Sequence, residues 1–216
     1  MKLFLYGGSF NPPHLGHRRL VEYVVQKENP ELLIIIPAAQ NPLKEELLPF
    51  KKRFSLLRLL FEGALSSKIR LTRLENHLSQ PSYTINTICK LRSCFPHAQI
   101  YFILGMDSFL TLPQWHRWQE LSKLVHFYVL QRGEKITDIP SDFGDVSYTI
   151  AQNPLWEISA SLLRNWLHDY YLAEEHRDHY LQGWIASLLK EKLSEKVFAE
   201  IVRNKYYYPQ ELRLRP

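Results

Sequence analysis

The stretch LFLYGGSFNPPHLGHRRL, residues 3–20, joins a short apolar strand to the start of a helix. Gly7 and Gly8 follow the strand directly, and glycines there allow a tight turn and a close approach of a ligand to the backbone. His14 and His17 stand three residues apart where the helix begins, so both rings can project from one face. A helix N-terminus attracts phosphate, and imidazoles donate hydrogen bonds to phosphoryl oxygens. This stretch therefore predicts phosphoryl or nucleotidyl transfer.

Apolar runs of strand length alternate with amphipathic runs of helix length along the first 150 residues. Strands are expected at 3–6, 32–36, 69–74, 100–104, 126–130 and 147–151. Helices are expected between the first five of them, at 16–27, 51–66, 83–95 and 114–124. This alternation is typical of βαβ units, which build a parallel sheet covered by helices on both faces. The sequence predicts a doubly wound α/β fold, with ligands at the carboxyl ends of the strands.

The pattern becomes helical after residue 158. Three candidate helices follow, in the stretches SLLRNWLHDYYL, HYLQGWIASLLKEKL and SEKVFAEIVR. We therefore predict an α/β domain over residues 1–158 and a small C-terminal helical subdomain over 159–216, packed on the end of the sheet.

Composition favours a soluble domain that binds an anion. The chain has 216 residues, 45% of them hydrophobic, and a formal net charge of +5, which suits a nucleotide phosphate but equally an ordinary surface. The longest apolar runs, such as LLIIIP, fall far short of the roughly 20 residues that span a bilayer. No secretory cleavage site follows the N-terminus, so we expect a cytoplasmic protein without a membrane partner. Cys89 and Cys94 lack a second pair at zinc spacing, so we expect reduced thiols and no protein metal site.

Five stretches together resemble a known family. GGSFNPPHLGH is similar to the G-x-F-D-P-x-H-x-G-H signature of the nucleotidyltransferase superfamily, which pantetheine-phosphate adenylyltransferases and cytidylyltransferases share. The other four stretches resemble bacterial nicotinate mononucleotide adenylyltransferases in the family's order: PAAQNPLK, PSYTINTI, LGMDSFLTLPQWHRWQEL and ISASLLR. The third of these contains G-x-D-x(4)-L-P-x-W, the most specific motif. The resemblance implies a Rossmann-like nucleotidyltransferase domain that transfers AMP from ATP to nicotinate mononucleotide, giving nicotinate adenine dinucleotide and pyrophosphate.

The resemblance also implies roles for individual residues. His14 and His17 are the implied catalytic residues, which bind the triphosphate and stabilise the transition state. The implied ATP-binding residues are Gly7, Gly8, Ser9, Phe10, Lys44, Gly105, Asp107, Ser159, Ser161 and Arg164. The implied residues for nicotinate mononucleotide are Tyr83, Thr84, Trp115 and Arg132. The expected cofactor is Mg²⁺, held mainly by the phosphates of ATP.

At several positions the residues alone leave a plainer interpretation open. A solvated surface side chain is the alternative for Lys44 and Arg132, and packing in the core is the alternative for Trp115. Helix capping is the alternative for Ser82, Thr84, Asp107 and Ser159.

The chain departs from the family pattern at three places. Asn11 stands where aspartate is usual; it keeps a loop-stabilising hydrogen bond and drops a charge. Leu43 replaces a common histidine, which changes the expected contacts of the second loop with ATP. The segment 168–192 makes the link to the closing helix longer than usual, and we interpret it as an additional helical element, with a homo-oligomer contact as one candidate use.

Three other functions compete with this interpretation. A related adenylyltransferase would accept nicotinamide mononucleotide or another phosphorylated acceptor, and the sequence does not decide between an acceptor carboxylate and an amide. A class I aminoacyl-tRNA synthetase fragment would need a K-M-S-K-S-like loop, which this chain lacks. A nucleic-acid-binding module would fit the basic tail KYYYPQELRLRP, but the clustering of motifs at one sheet edge favours ATP and nicotinate mononucleotide as the partners, without nucleic acid.

Overall fold

A single parallel sheet organises the chain. The computed structural model describes residues 1–41, 47–131, 143–156 and 158–213. The strands of the sheet are β1 (Lys2–Gly8), β2 (Leu32–Pro37), β3 (Ile69–Leu71), β4 (Gln99–Gly105), β5 (His126–Leu130) and β6 (Tyr148–Ile150). All neighbouring strands are parallel, in the order β3-β2-β1-β4-β5-β6. The predicted doubly wound fold is confirmed, and the strand order reverses between β1 and β4.

Helices follow most of the strands. Those before residue 130 are α1 (Leu15–Glu28), α2 (Phe50–Leu60), α3 (Thr84–Cys94), α4 (Met106–Leu110) and α5 (Trp118–Leu124). The C-terminal helices are α6 (Ala160–Glu175), α7 (His179–Leu193), α8 (Glu195–Arg203) and α9 (Gln210–Arg213). Short 3₁₀ turns lie at Leu74–His77 and Leu112–Gln114.

Three predicted elements are shorter in the structure by three or more residues at one end. Helix α2 ends at Leu60 rather than at residue 66, and Gly63 just beyond it has a left-handed φ of 78°. Helix α5 begins at Trp118 rather than at residue 114, because Arg117 adopts a left-handed φ of 55° that interrupts the helical path. Strand β3 ends at Leu71 because the chain turns into the 3₁₀ segment that follows.

The alternating side chains of the sheet feed two buried clusters, one on each face. On one face, Phe4 and Ile35 pack with apolar residues of α1 and α2. On the other face, Leu5 and Phe102 pack with residues of α3, α4 and α5. Both faces are thus covered, as the near-continuous apolar strands require.

The C-terminal helices join the first of these clusters. Leu167 of α6, Leu189 of α7 and Ile201 of α8 are fully buried in the same core as Phe4. Helix α7 contacts α1 and helix α8 contacts α2, so the C-terminal helices pack against the helices that cover this face of the sheet. The division into domains at residue 158 stays a prediction. None of the helices in the described part of the chain is long and apolar enough to cross a membrane.

Candidate active site

A wide cleft opens at the carboxyl ends of β1 and β4. Its volume is about 1620 Å³, which exceeds the 300–1,000 Å³ typical of a site for one drug-sized ligand. Most of the predicted site residues line it: Gly7, Gly8, Ser9, Phe10, His14, His17, Tyr83, Thr84, Gly105, Asp107, Trp115, Ser161 and Arg164. Lys44, Arg132 and the Leu43 departure lie outside the described residues. The cleft therefore has room for two nucleotides side by side.

Two stacked imidazoles lie in the wall of the cleft. The rings of His14 and His17 have centroids 3.6 Å apart and are only 2% and 8% exposed. The backbone N–H of His14 donates to Nδ1 of His17 over 3.0 Å. Because this bond makes Nδ1 the acceptor, the neutral His17 ring carries its proton on Nε2. His17 can therefore donate a hydrogen bond from Nε2 to an oxygen anion.

The residues around this pair leave room for it and support it. At Gly16, a Cβ would lie 3.0 Å from Nδ1 of His14, so a larger residue would displace the ring. On the other side, Phe10 packs edge-to-face against His17, with ring centroids 4.9 Å apart, and against Tyr6, at 5.3 Å. The H-x-G-H spacing thus has a packing reason besides its chemistry.

Asn11 ties this loop to its surroundings. Its Oδ1 accepts hydrogen bonds from Leu48 N (3.1 Å) and from the Tyr207 hydroxyl (3.0 Å). Its backbone oxygen accepts from Arg164 Nη1 over 2.7 Å. An asparagine thus supplies the loop-stabilising acceptor that was expected at this position, without a carboxylate charge.

A buried arginine, which the sequence analysis missed, holds the loop after β2. Arg53 is 0% exposed and donates to the carbonyl oxygens of Ser9 (2.7 Å), Ala38 (2.7 Å), Ala39 (3.1 Å) and Leu48 (2.6 Å). Burial lowers the pKa of its guanidinium. Arg53 thereby joins the loop after β1 to the loop after β2.

A buried carboxyl group, also missed, lies under the same loop. Glu75 is 8% exposed, and its two oxygens accept from Thr87 Oγ1 (2.8 Å) and from Ala39 N (3.3 Å). Burial raises the pKa of Glu75 in spite of these donors. A lone glutamate between polar loop residues gives no periodic or motif signal, so the sequence pattern could not reveal it.

The start of α3 forms another wall of the cleft. Ser82 Oγ does not cap the helix; it accepts from the backbone N–H groups of Ala39 and Gln40, each over 3.1 Å. The N-cap position is taken by Tyr83, which makes no side-chain cap bond, and its ring stacks on His116 at 4.2 Å. The first-turn amides of α3, beginning with Thr84, are thus left without a side-chain cap.

Trp115 lines the cleft and also packs on the core. Its ring meets Phe102 edge-to-face, with centroids 6.1 Å apart. Trp118 packs against the same buried cluster and does not line the cleft. Trp115 therefore packs on the core while part of its side chain lines the cleft.

The start of α6 lies beside the histidine loop and lines the cleft. Arg164 Nη2 donates to Ser161 Oγ over 3.2 Å, and both side chains line the cleft. Ser159 is the N-cap of α6, with Oγ accepting from Leu162 N over 3.1 Å, and it is not among the lining residues. Asp107 lies exposed in the first turn of α4 and lines the cleft without capping that helix.

The described residues offer no protein cage for a metal ion. Across 1–41, 47–131, 143–156 and 158–213, no group of three or more His, Cys, Asp or Glu side chains could hold one. A cation that arrives on the phosphates of a nucleotide needs no such cage. Cys89 and Cys94 are both free thiols, and both are exposed.

Comparison with known proteins agrees with this geometry. Residues 5–166 match the cytidylyltransferase-like family model. A protein of Aliarcobacter butzleri named "Probable nicotinate-nucleotide adenylyltransferase" is 32% identical over 182 residues, which cover 84% of this chain and 96% of that one. A protein of the same name from Leptospira interrogans is 28% identical over 206 residues, covering 94% and 95%.

Solved structures show the same fold. The nicotinic acid mononucleotide adenylyltransferase of Plasmodium falciparum, complexed with NaAD, superposes with a TM-score of 0.77 at 20% identity, covering 95% of this chain and 97% of that one. The same enzyme complexed with APC gives a TM-score of 0.75. The family match and the relative that is 32% identical show that the chain belongs to the cytidylyltransferase-like family and, within it, to the nicotinate-nucleotide adenylyltransferases.

Proposed function

We propose that this protein transfers AMP from ATP to nicotinate mononucleotide, forming nicotinate adenine dinucleotide and pyrophosphate in NAD biosynthesis. The observation that carries the proposal is the stacked pair of His14 and His17 at the reversal of strand order, inside a cleft that also contains Trp115. Phosphate-binding groups and a surface for a flat ring are thus present in one cavity large enough for both nucleotides.

The reaction needs no nucleophile from the protein. A 5′-phosphate oxygen of the mononucleotide forms a bond to the α-phosphorus of ATP, while the bond from that phosphorus to the bridging α–β oxygen breaks. The pyrophosphate leaves with the electron pair of the broken bond. Catalysis then consists of holding the two nucleotides in line and stabilising the negative charge of the transition state.

On the ATP side, the histidine pair supplies the charge-stabilising donors. His17 donates from Nε2 and His14 lies directly against it, so both rings serve the phosphates where charge accumulates. Their burial excludes water, which strengthens such contacts. Further ATP contacts are proposed for Gly7, Gly8, Ser9, Phe10, Lys44, Gly105, Asp107, Ser159, Ser161 and Arg164.

On the mononucleotide side, α3 and Trp115 provide the contacts. The uncapped first turn of α3 at Tyr83 and Thr84 is suited to an anionic group, since the helix N-terminus carries partial positive charge. Trp115 offers an indole surface on which a pyridine ring can stack. Arg132 remains the proposed fourth contact.

We propose that Mg²⁺ bound to the phosphates of ATP is the divalent cation that the family generally uses. Bound there, the ion would neutralise charge on the departing pyrophosphate. We propose further that the protein works in the cytoplasm, with no nucleic-acid partner, and that the segment 168–192 is available for a homo-oligomer contact.

Pyrophosphate release tests the proposal. Purified protein is assayed with ATP and Mg²⁺ and, in turn, nicotinate mononucleotide, nicotinamide mononucleotide and 4′-phosphopantetheine as acceptor. The nicotinate form should react best, and His17→Ala should lower its rate about a hundred- to thousandfold. His97→Ala is the matched control, because His97 is exposed in the loop before β4 and does not line the cleft. Preference for the amide would reassign the acceptor, and no release with any acceptor would refute the proposal.

A further inference from the structure

The cleft has a wall that lies outside the region matched by the family model. That match ends at residue 166, yet four residues that follow α8 line the cleft: Tyr207, Tyr208, Pro209 and Gln210. The segment is anchored from below by Tyr171, whose hydroxyl lies 3.1 Å from the backbone oxygen of Tyr206 and 3.3 Å from that of Ile201. The C-terminal segment is thus a fixed part of the site.

The hydroxyl of Tyr207 in this segment contacts the loop after β1, whose backbone is proposed to hold the phosphates of ATP. Tyr207 OH donates to Asn11 Oδ1 over 3.0 Å, and Asn11 is 6% exposed. Burial raises the pKa of Tyr207, so the hydroxyl keeps its proton and remains a donor at neutral pH. Leu48 N donates to the same Oδ1 over 3.1 Å, while Arg164 holds the backbone oxygen of Asn11. Asn11 is therefore held by three different parts of the chain.

The position of Asn11 in the loop decides what this contact can control. Asn11 directly follows Ser9 and Phe10, whose backbone is proposed to hold the phosphates of ATP. The histidine rings are held separately, by the bond from His14 N to His17 Nδ1. A change at Asn11 Oδ1 should thus move the phosphate-binding backbone more than the imidazoles.

We infer that Tyr207 is a positioning residue for ATP, which fixes the phosphate loop through Asn11 and makes the C-terminal segment a working part of the nucleotide site. This role rests on the proposed function, because it assumes that the loop binds ATP. It adds a requirement from the last ten described residues to a site whose other described contacts come from β1, α1, β4, α4 and α6.

The substitution Tyr207→Phe removes only the hydroxyl and keeps the ring. Loss of one neutral hydrogen bond should raise the Kd and the KM for ATP about three- to tenfold. The KM for nicotinate mononucleotide should stay unchanged, and kcat should fall less than about twofold. Tyr206→Phe is the matched control: Tyr206 is adjacent, does not line the cleft, and packs its ring under Lys52 Nζ at 4.7 Å.

A double variant shows whether Tyr207 acts through Asn11. If it does, adding Tyr207→Phe to Asn11→Ala should weaken ATP binding no further, because the acceptor has already gone. If the two effects multiply, Tyr207 acts elsewhere and the inference is wrong. Should Asn11→Ala fail to fold, the single Tyr207→Phe variant still decides the question.

Direct calorimetric titration with ATP separates this inference from the proposed function, since binding needs no turnover. An unchanged Kd in Tyr207→Phe, or an equal change in Tyr206→Phe, would overturn the positioning role even if the wild type makes dinucleotide. A wild type that binds ATP but makes no dinucleotide would overturn the proposed reaction alone. A wild type that binds no ATP would overturn both.

Discussion

The loop after β1 and the loop after β2 meet at the cleft, but they are held in different ways. In the first loop, the two imidazole rings are fixed locally: His14 N bonds His17 Nδ1, and Gly16 leaves room for the ring. The second loop, residues 38–41, is held by side chains from α2, the 3₁₀ turn and the segment before α3: Arg53, Glu75 and Ser82.

This difference separates chemistry from support. The first loop carries the groups that we propose to contact phosphate, so damage there should affect turnover more than folding. The second loop depends on Arg53 and Glu75, which are buried and ionisable, and the removal of such a group leaves its partners unsatisfied. Damage there should affect stability first.

The largest expected effect is that of His17→Ala. Loss of a donor to the developing charge should lower kcat about a hundred- to thousandfold, as loss of an oxyanion-hole donor does. The far-ultraviolet circular dichroism spectrum should stay that of the wild type, because the loop's other contacts remain. Steady-state pyrophosphate release measures the effect, and a kcat within threefold of the wild type would contradict the proposed role.

Arg53→Met should show the opposite pattern. Methionine fills much of the buried volume but donates nothing to the carbonyl oxygens of Ser9, Ala38, Ala39 and Leu48. The free energy of unfolding should fall by about 2–3 kcal/mol, the range for leaving buried polar groups unsatisfied.

Urea unfolding of Arg53→Met and of Arg58→Met checks this. Arg58 lies on the same helix and is exposed, so its replacement should change the free energy of unfolding by less than about 0.5 kcal/mol. Equal losses in the two variants would show that the buried hydrogen bonds contribute nothing specific.

The first loop was predictable from the sequence because its chemistry lies in consecutive residues. The strand, the glycine turn and the histidines at 14 and 17 form one short pattern. The alternation of apolar and amphipathic runs predicted the sheet. The strands of the sheet were placed correctly because the apolar runs of β1, β2, β4 and β5 are buried. The spacing of apolar residues indicates which residues are buried, and the buried runs predict the doubly wound fold.

The second loop was not predictable in this way. Arg53 falls on the apolar face of α2. The sequence alone does not show that its guanidinium bonds four carbonyl oxygens there. Glu75 acts on Ala39 across a long separation in sequence, as Tyr207 does on Asn11 of the first loop, and spacing rules do not register such contacts. Helix α4 was missed because five residues are too few for a period of 3.6 to appear.

Ser82→Ala tests the second loop more gently. Ser82 Oγ accepts from two backbone N–H groups, but Ala39 N keeps Glu75 as a partner and Gln40 is exposed to water. The free energy of unfolding should therefore fall by only about 1 kcal/mol. Chemical denaturation measures it against Ser93→Ala, an exposed serine on α3. A loss as large as that of Arg53→Met would mean that the loop depends on one hydroxyl.

Glu75→Gln should have the smallest effect on the free energy of unfolding at acid pH. The effect should change with pH in a predictable direction. Burial raises the pKa of Glu75 above the ordinary glutamate value of about 4.3. Below that value the wild type and the variant are both neutral, so their difference in stability is constant. As the pH rises, the unfolded wild type ionises first, which stabilises its unfolded state and lowers its free energy of unfolding until the raised pKa is passed. Glutamine cannot ionise, so the variant should gain stability relative to the wild type across this window, as urea unfolding at a series of pH values would show. A difference that does not change with pH would mean that the donors from Thr87 and Ala39 offset burial completely, and that the second loop is held by an ordinary carboxylate.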